Sequence, residues 1–132
     1  MQNKHLSIVN KTRGAMPRVD FVRLKEAVLG ANYDLSVALV QPAEAKRVTW
    51  ETKRKKKPSN VLSFPLSKNS GEIIICPHTA RTQAPDYEAT RDDFIAYLFI
   101  HGMFHIKGHE HGATMEDNER RVLKRFGLEV EL

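Results

Sequence analysis

Apolar positions along this chain follow two spacings, one of strands and one of helices, and they alternate in order. Residues 6–9 form a short apolar run with the content of a strand, and the NKTRGAMP that follows carries the Gly and Pro of a loop. From Asp20, a good helix cap, Phe21, Val22, Leu24, Ala27, Val28 and Leu29 make one apolar face, and Gly30 stands near its end. LSVALV at residues 35–40 alternates as a second strand should, and Pro42 suits the first turn of a helix reaching about residue 52. VLSF at residues 61–64 predicts a third strand, stopped by Pro65. SKNSG at residues 67–71 reads as a hairpin turn into a fourth strand over 72–76, where the unbroken Ile73, Ile74 and Ile75 predict burial on both faces.

After Pro77 a short helix is expected to about residue 83, then a polar loop around Ala84, Pro85, Asp86 and Tyr87. Thr90, with Asp93 three residues on, resembles a capping box opening a long helix to about Lys107, and Gly108 fits its stop. That helix is apolar almost all round, so it should lie deep. A last helix over about 115–126 is bounded by Thr114 and Gly127. Helices interleaved with strands and one tight hairpin indicate an α/β fold: one compact domain over residues 1–132, with a small mixed sheet of about four strands and about five helices.

Composition narrows the class. At 132 residues with 41% hydrophobic and 28% charged side chains, the chain suits a single globular core and not a disordered tail. The single cysteine, Cys76, leaves no intramolecular disulfide and no four-cysteine zinc site, which fits a reducing cytoplasm. MQNKHLSIVNK lacks the apolar segment of a secretion signal, and the longest apolar run, interrupted by His101, Gly102 and His105, is too short for a membrane span. The net charge of +5 is uneven, with six acidic and four basic side chains in residues 109–132 leaving +7 upstream. Its densest part is KRKKK, namely Lys53, Arg54, Lys55, Lys56 and Lys57, a run able to contact RNA phosphates or to serve as a solvated loop. Trp50 and Phe64 are the aromatics nearest to it, and both are expected in the core.

HGMFHIKGHEH at residues 101–111 carries the chemistry. Helical spacing of four puts His101 and His105 on one face within reach of one ion, and Gly108 lets the chain turn back so that His111 supplies a third ligand. Three neutral imidazoles on zinc leave one tetrahedral position open for water, whose pKa then falls towards about 7. His5, His78 and His109 lack such spacing and are expected in loops or at the surface. The peptidase motif H-E-x-x-H would need a glutamate where Gly102 stands, which disfavours peptidase chemistry. Glu110, the nearest carboxylate in sequence, is the candidate to orient a ligand or take a proton through water.

The same stretch closely resembles the H-G-x-x-H-L-x-G-Y-D-H signature of the YbeY family of bacterial metal-dependent endoribonucleases. SNVLSFP at residues 59–65 is similar to that family's T-(D/N)-V-L-S-F-P, and GEIIICP at residues 71–77 to its G-D-I-V-I-C, in the same order and spacing. The resemblance implies one zinc per chain on His101, His105 and His111, cleavage of single-stranded RNA, and a role in 16S ribosomal RNA 3′-end maturation and ribosome quality control on the small subunit. It also implies that a family arginine thought important for activity falls on Lys53, with Arg54 one place away, and the family's Tyr-Asp on His109 and Glu110. The reading is thus a cytoplasmic zinc endoribonuclease with Lys53, Arg54 and Glu110 as catalytic helpers and residues 53–57 as the RNA-binding run. Its competitors are a ribosome-associated RNA-binding protein with a structural zinc and, further off, a metallopeptidase.

Overall fold

A computed structural model of the chain describes residues 2–53 and 60–132. Its elements in chain order are β1 (Gln2–Asn3), β2 (Leu6–Asn10), α1 (Phe21–Leu29), β3 (Asp34–Leu39), α2 (Pro42–Lys53), β4 (Val61–Ser67) and β5 (Ser70–Ile75), then α3 (Pro77–Gln83), a 3-10 turn (Ala84–Tyr87), α4 (Arg91–Ile106) and α5 (Ala113–Arg125). Among the described residues the strands form one mixed sheet in the order β1-β2-β3-β5-β4. β2, β3 and β5 run parallel, with Leu6 opposite Leu35 and Leu35 opposite Gly71, while β4 returns antiparallel on β5. The four expected strands are therefore present. β1 adds a two-residue pairing onto β2 that Gln2 and Asn3, both polar, did not advertise.

Strand alternation sorts the side chains into two layers. Ile73 and Ile75 join Leu6, Ile8, Leu35, Val37 and Leu39 in the larger core, beneath α1 and α4. Ile74 turns the other way with Leu62, Val40 and Cys76, where Ala45 of α2 covers them. Ile73, Ile74 and Ile75 are 0%, 9% and 0% exposed, so burial on both faces holds. Phe21, Phe94 and Phe99 are among the largest fully buried side chains. At roughly 25 cal/mol per Å² of apolar area, burying each contributes about 2–3 kcal/mol.

Several boundaries differ from expectation. β4 continues through Pro65 to Ser67, because it is the sheet's edge strand and its ladder shifts register between Pro65 and Ser67, where a missing N–H costs no central pairing. The hairpin turn shrinks to Lys68 and Asn69, since Ser67 already pairs with Ser70. α5 starts at Ala113 after Gly112, ahead of the expected Thr114. Trp50 is 44% exposed instead of buried: α2 turns Ala45, Val48 and Thr49 inward, and the next residue is carried about 100° round to solvent. Phe64 does pack against the smaller core. Among the described residues no helix is long and apolar enough to cross a membrane.

Candidate metal centre

α4 is fixed at both ends by its sequence. Thr90 accepts a hydrogen bond from the Asp93 backbone N–H at 3.1 Å, while the Asp93 carboxylate turns to the Glu129 N–H at 3.1 Å and ties down the C-terminal tail, so only half of the box is made. At the other end Gly108 takes φ of 92°, a left-handed conformation that costs glycine nothing. Its N–H bonds to the His105 carbonyl at 2.9 Å and the His109 N–H to the Phe104 carbonyl at 3.1 Å, the paired bonds of a Schellman stop. The His109 ring lies 5.3 Å from that of Phe104, supplying the apolar contact that accompanies such a stop. His109 and the exposed His78 match their expected loop or surface places, and His5 lies beside Asp34 at 2.6 Å.

The turn brings three imidazoles together. One ring nitrogen from each of His101, His105 and His111 lies within 4.8 Å of those of the other two. His105 Nδ1 meets the His109 carbonyl at 3.1 Å, so its proton sits on Nδ1 and its Nε2 stays a lone pair. His101 Nδ1 meets Glu119 Oε2 at 2.6 Å, which commits that nitrogen as donor to the carboxylate and likewise frees Nε2. The two Nε2 atoms face one another at 3.1 Å. Two lone pairs at that distance repel, whereas a tetrahedral ion with Zn–N bonds near 2.0–2.1 Å would hold its ligands about 3.3 Å apart. The donor set therefore fits a divalent cation. Burial first, then the neighbouring His101 and His111, holds His105 below the ordinary histidine range, which keeps it in the neutral, ligating form.

Glu119 is the residue that sequence reasoning missed. It comes from α5, is 2% exposed, and stands one helical turn from Met115 and from Leu123, both buried. A carboxylate four residues from a buried apolar residue on either side was the available signal, because such a charge must have a partner. Carboxylates that fix a ligating imidazole's tautomer in this way raise its basicity. Beside His101 and His111 opens a cavity of ≈ 280 Å³, lined also by Tyr87, Tyr97 and Met115. Burial first, and then the Glu119 carboxylate, pushes the Tyr97 phenol far above its ordinary range, so it stays protonated.

Gly102 faces the sheet. A Cβ there would stand 3.3 Å from methyl groups of both Ile73 and Val61, so the position after the first histidine has no room for a glutamate. Glu110 lies exposed in the loop between His109 and His111, and its carboxylate makes no hydrogen bond among the described residues. Lys53 is the last residue of α2, whereas Arg54, Lys55, Lys56 and Lys57 lie outside the described residues.

The chain is similar to known proteins over most of its length. The family model described as Endoribonuclease YbeY matches residues 2–127. A curated relative from Finegoldia magna, named Endoribonuclease YbeY, is 32% identical over 109 residues, covering 74% of this chain and 71% of its own. Another of that name, from Alkalilimnicola ehrlichii, is 30% identical over 134 residues, covering 87% and 81%. The solution structure of TM1509 from Thermotoga maritima superposes with a TM-score of 0.66 at 22% identity, covering 92% of this chain and 89% of that one, and supports the fold.

Proposed function

Because the chain belongs to the endoribonuclease YbeY family, whose members are metal-dependent hydrolases acting on RNA, we propose that His101, His105 and His111 hold one zinc ion and that single-stranded RNA is cut there. The observation that carries this reading is the pair of Nε2 atoms 3.1 Å apart, each freed because its Nδ1 is already committed to Glu119 or to the His109 carbonyl. Held by these three imidazoles, a zinc ion would supply Lewis-acid chemistry and would lower the pKa of water there towards about 7.

The chain's own groups do the rest. Glu119 holds the His101 tautomer, and the Schellman turn holds that of His105. Lys53 or Arg54 steadies a phosphate as a point charge or a fork, and the remainder of the run, Lys55, Lys56 and Lys57, draws the RNA backbone in. Glu110 moves a proton through solvent beside His111. The substrate we assign is ribosomal RNA, processed at the 16S 3′ end on the small subunit in the cytoplasm.

Metal analysis of gently purified protein should find about one zinc per chain, as three ligands with one open position require. His105→Ala should lose it together with RNA cleavage, at unchanged circular dichroism. Metal-free wild type would remove the centre. Equal residual cleavage in both proteins would favour a binding module with a structural metal.

A further inference from the structure

A second cavity, of ≈ 160 Å³, opens at the carboxyl ends of the parallel strands, where the segments leaving β2, β3 and β5 come together. Thr12 and Gly14 follow β2, Gln41 follows β3, His78 and Arg81 lie on α3 after β5, and Arg91 is the first residue of α4. Crevices beyond the carboxyl ends of parallel strands are where open α/β sheets take their ligands. Among the described residues no Phe, Tyr or Trp lines this one, and its charged groups are arginines.

Arg81 and Arg91 give its walls positive charge. The loop is tied by Asn10, whose side chain accepts from the Thr12 hydroxyl at 2.6 Å and donates to the Gly14 carbonyl at 3.0 Å. Arg91 gives Nε and Nη2 to one oxygen of Asp92, at 3.1 and 3.0 Å, which sets its plane and leaves Nη1 without a partner among the described residues. Arg81 has no ion pair, and the Gln41 amide has no hydrogen-bond partner, among the described residues. The same end of the sheet receives the chain as it emerges from the basic run: Asn60 accepts from the Cys76 N–H at 3.0 Å through its carbonyl and hydrogen-bonds Gln83, at the far end of α3, through its side chain.

We propose that this cavity is an anion subsite that takes a backbone phosphate of the single-stranded RNA substrate, away from the bond that is cut. The proposal rests on reading the three histidines as the cleavage centre. Arg91 and His105 stand at opposite ends of α4, about 21 Å apart along its axis at ~1.5 Å per residue. A strand touching both must therefore be several nucleotides long, within the roughly 4–16 nucleotides that single-strand sites span. The subsite thus selects for length and carries no base sequence.

The test uses 2′-O-methyl phosphorothioate RNA, which resists both attack by its own 2′ position and hydrolysis by water, as labelled strands of about 4 and about 14 nucleotides, site lengths bracketing the usual range. Arg81→Ala should weaken the long strand by about three- to tenfold and lower its salt slope by about 0.7, one phosphate contact on a single strand. Binding of the short strand, and cleavage of an unmodified one, should stay as in wild type. Arg91→Ala should repeat the pattern, and its thermal unfolding reports whether α4 keeps its start. Equal loss for both lengths, or an unchanged long-strand slope, would overturn the subsite. Inorganic phosphate is the control ligand: amide shifts at residues 12–14 and 78–81 with phosphate but not with the long RNA would assign the cavity to a free anion and likewise overturn it. Wild type that binds but never cleaves would instead sink the nuclease reading, with the binding comparison still readable.

Discussion

α4 and α5 both reach the histidine cluster, and they do so from opposite designs. α4 is apolar on nearly every side: nine of its sixteen residues, Phe94 to Phe104, are buried, and its two histidines interrupt that surface. α5 is polar on most sides and buries only Met115, Glu119 and Leu123, one stripe at helical spacing. Polar atoms that interrupt an apolar helix are conspicuous, whereas an acid set into an amphipathic stripe looks like one more surface charge. Two of the three ligands therefore lie on the helix where they show, and the group that orients one of them lies on the helix where it hides.

The largest way to test this contrast is to place an acid on the wrong side of α4. Gly102→Glu would push a carboxylate against Ile73 and Val61 with no partner, at a position where even a Cβ stands 3.3 Å from both. An unpaired buried charge is among the mechanisms that cost more than about 4 kcal/mol. Urea unfolding in the presence of chelator should show that loss, whereas Gly102→Ala should change stability by no more than about 1 kcal/mol, helix propensity offsetting the tight contact. If the glutamate were accommodated without loss, helix and sheet would not be packed as closely here as the structure has them.

Next in size is Glu119. Glu119→Ala strips the acceptor from His101 Nδ1 and should weaken zinc binding by roughly 10- to 100-fold in a competitive chelator titration, the usual effect of removing such a partner. Glu119→Gln keeps an acceptor without the charge and should fall between the two. Should both variants bind zinc as wild type does, α5 would be mere packing and the contrast between the helices would collapse.

What was legible in advance follows the same line. The histidine spacing, Gly108, the Thr90 cap and the alternation of strands are local signals, each spelled out within a few residues, and the structure carries each of them. Glu119 acts across eighteen residues of sequence, on His101, and only the docking of α5 on α4 reveals it. Pro65 and Trp50 were misread for a related reason. Whether a strand passes a proline depends on its being at the edge, and whether an aromatic is buried depends on which helix face meets the sheet, and neither is written locally.

The smallest effect separates the two ends of α4 from one another. Thr90→Ala removes the hydroxyl that satisfies the Asp93 N–H, and losing such a cap costs about 1 kcal/mol. The first ligand, His101, lies eleven residues along the helix, about 16 Å at ~1.5 Å per residue, far enough for the two sites to behave additively. Urea midpoints should therefore fall by that small amount while zinc affinity stays the same. A parallel fall in affinity would mean that fraying at the start of α4 reaches its last turn, and that the histidines depend on the whole helix and not on the Schellman turn and Glu119 beside them.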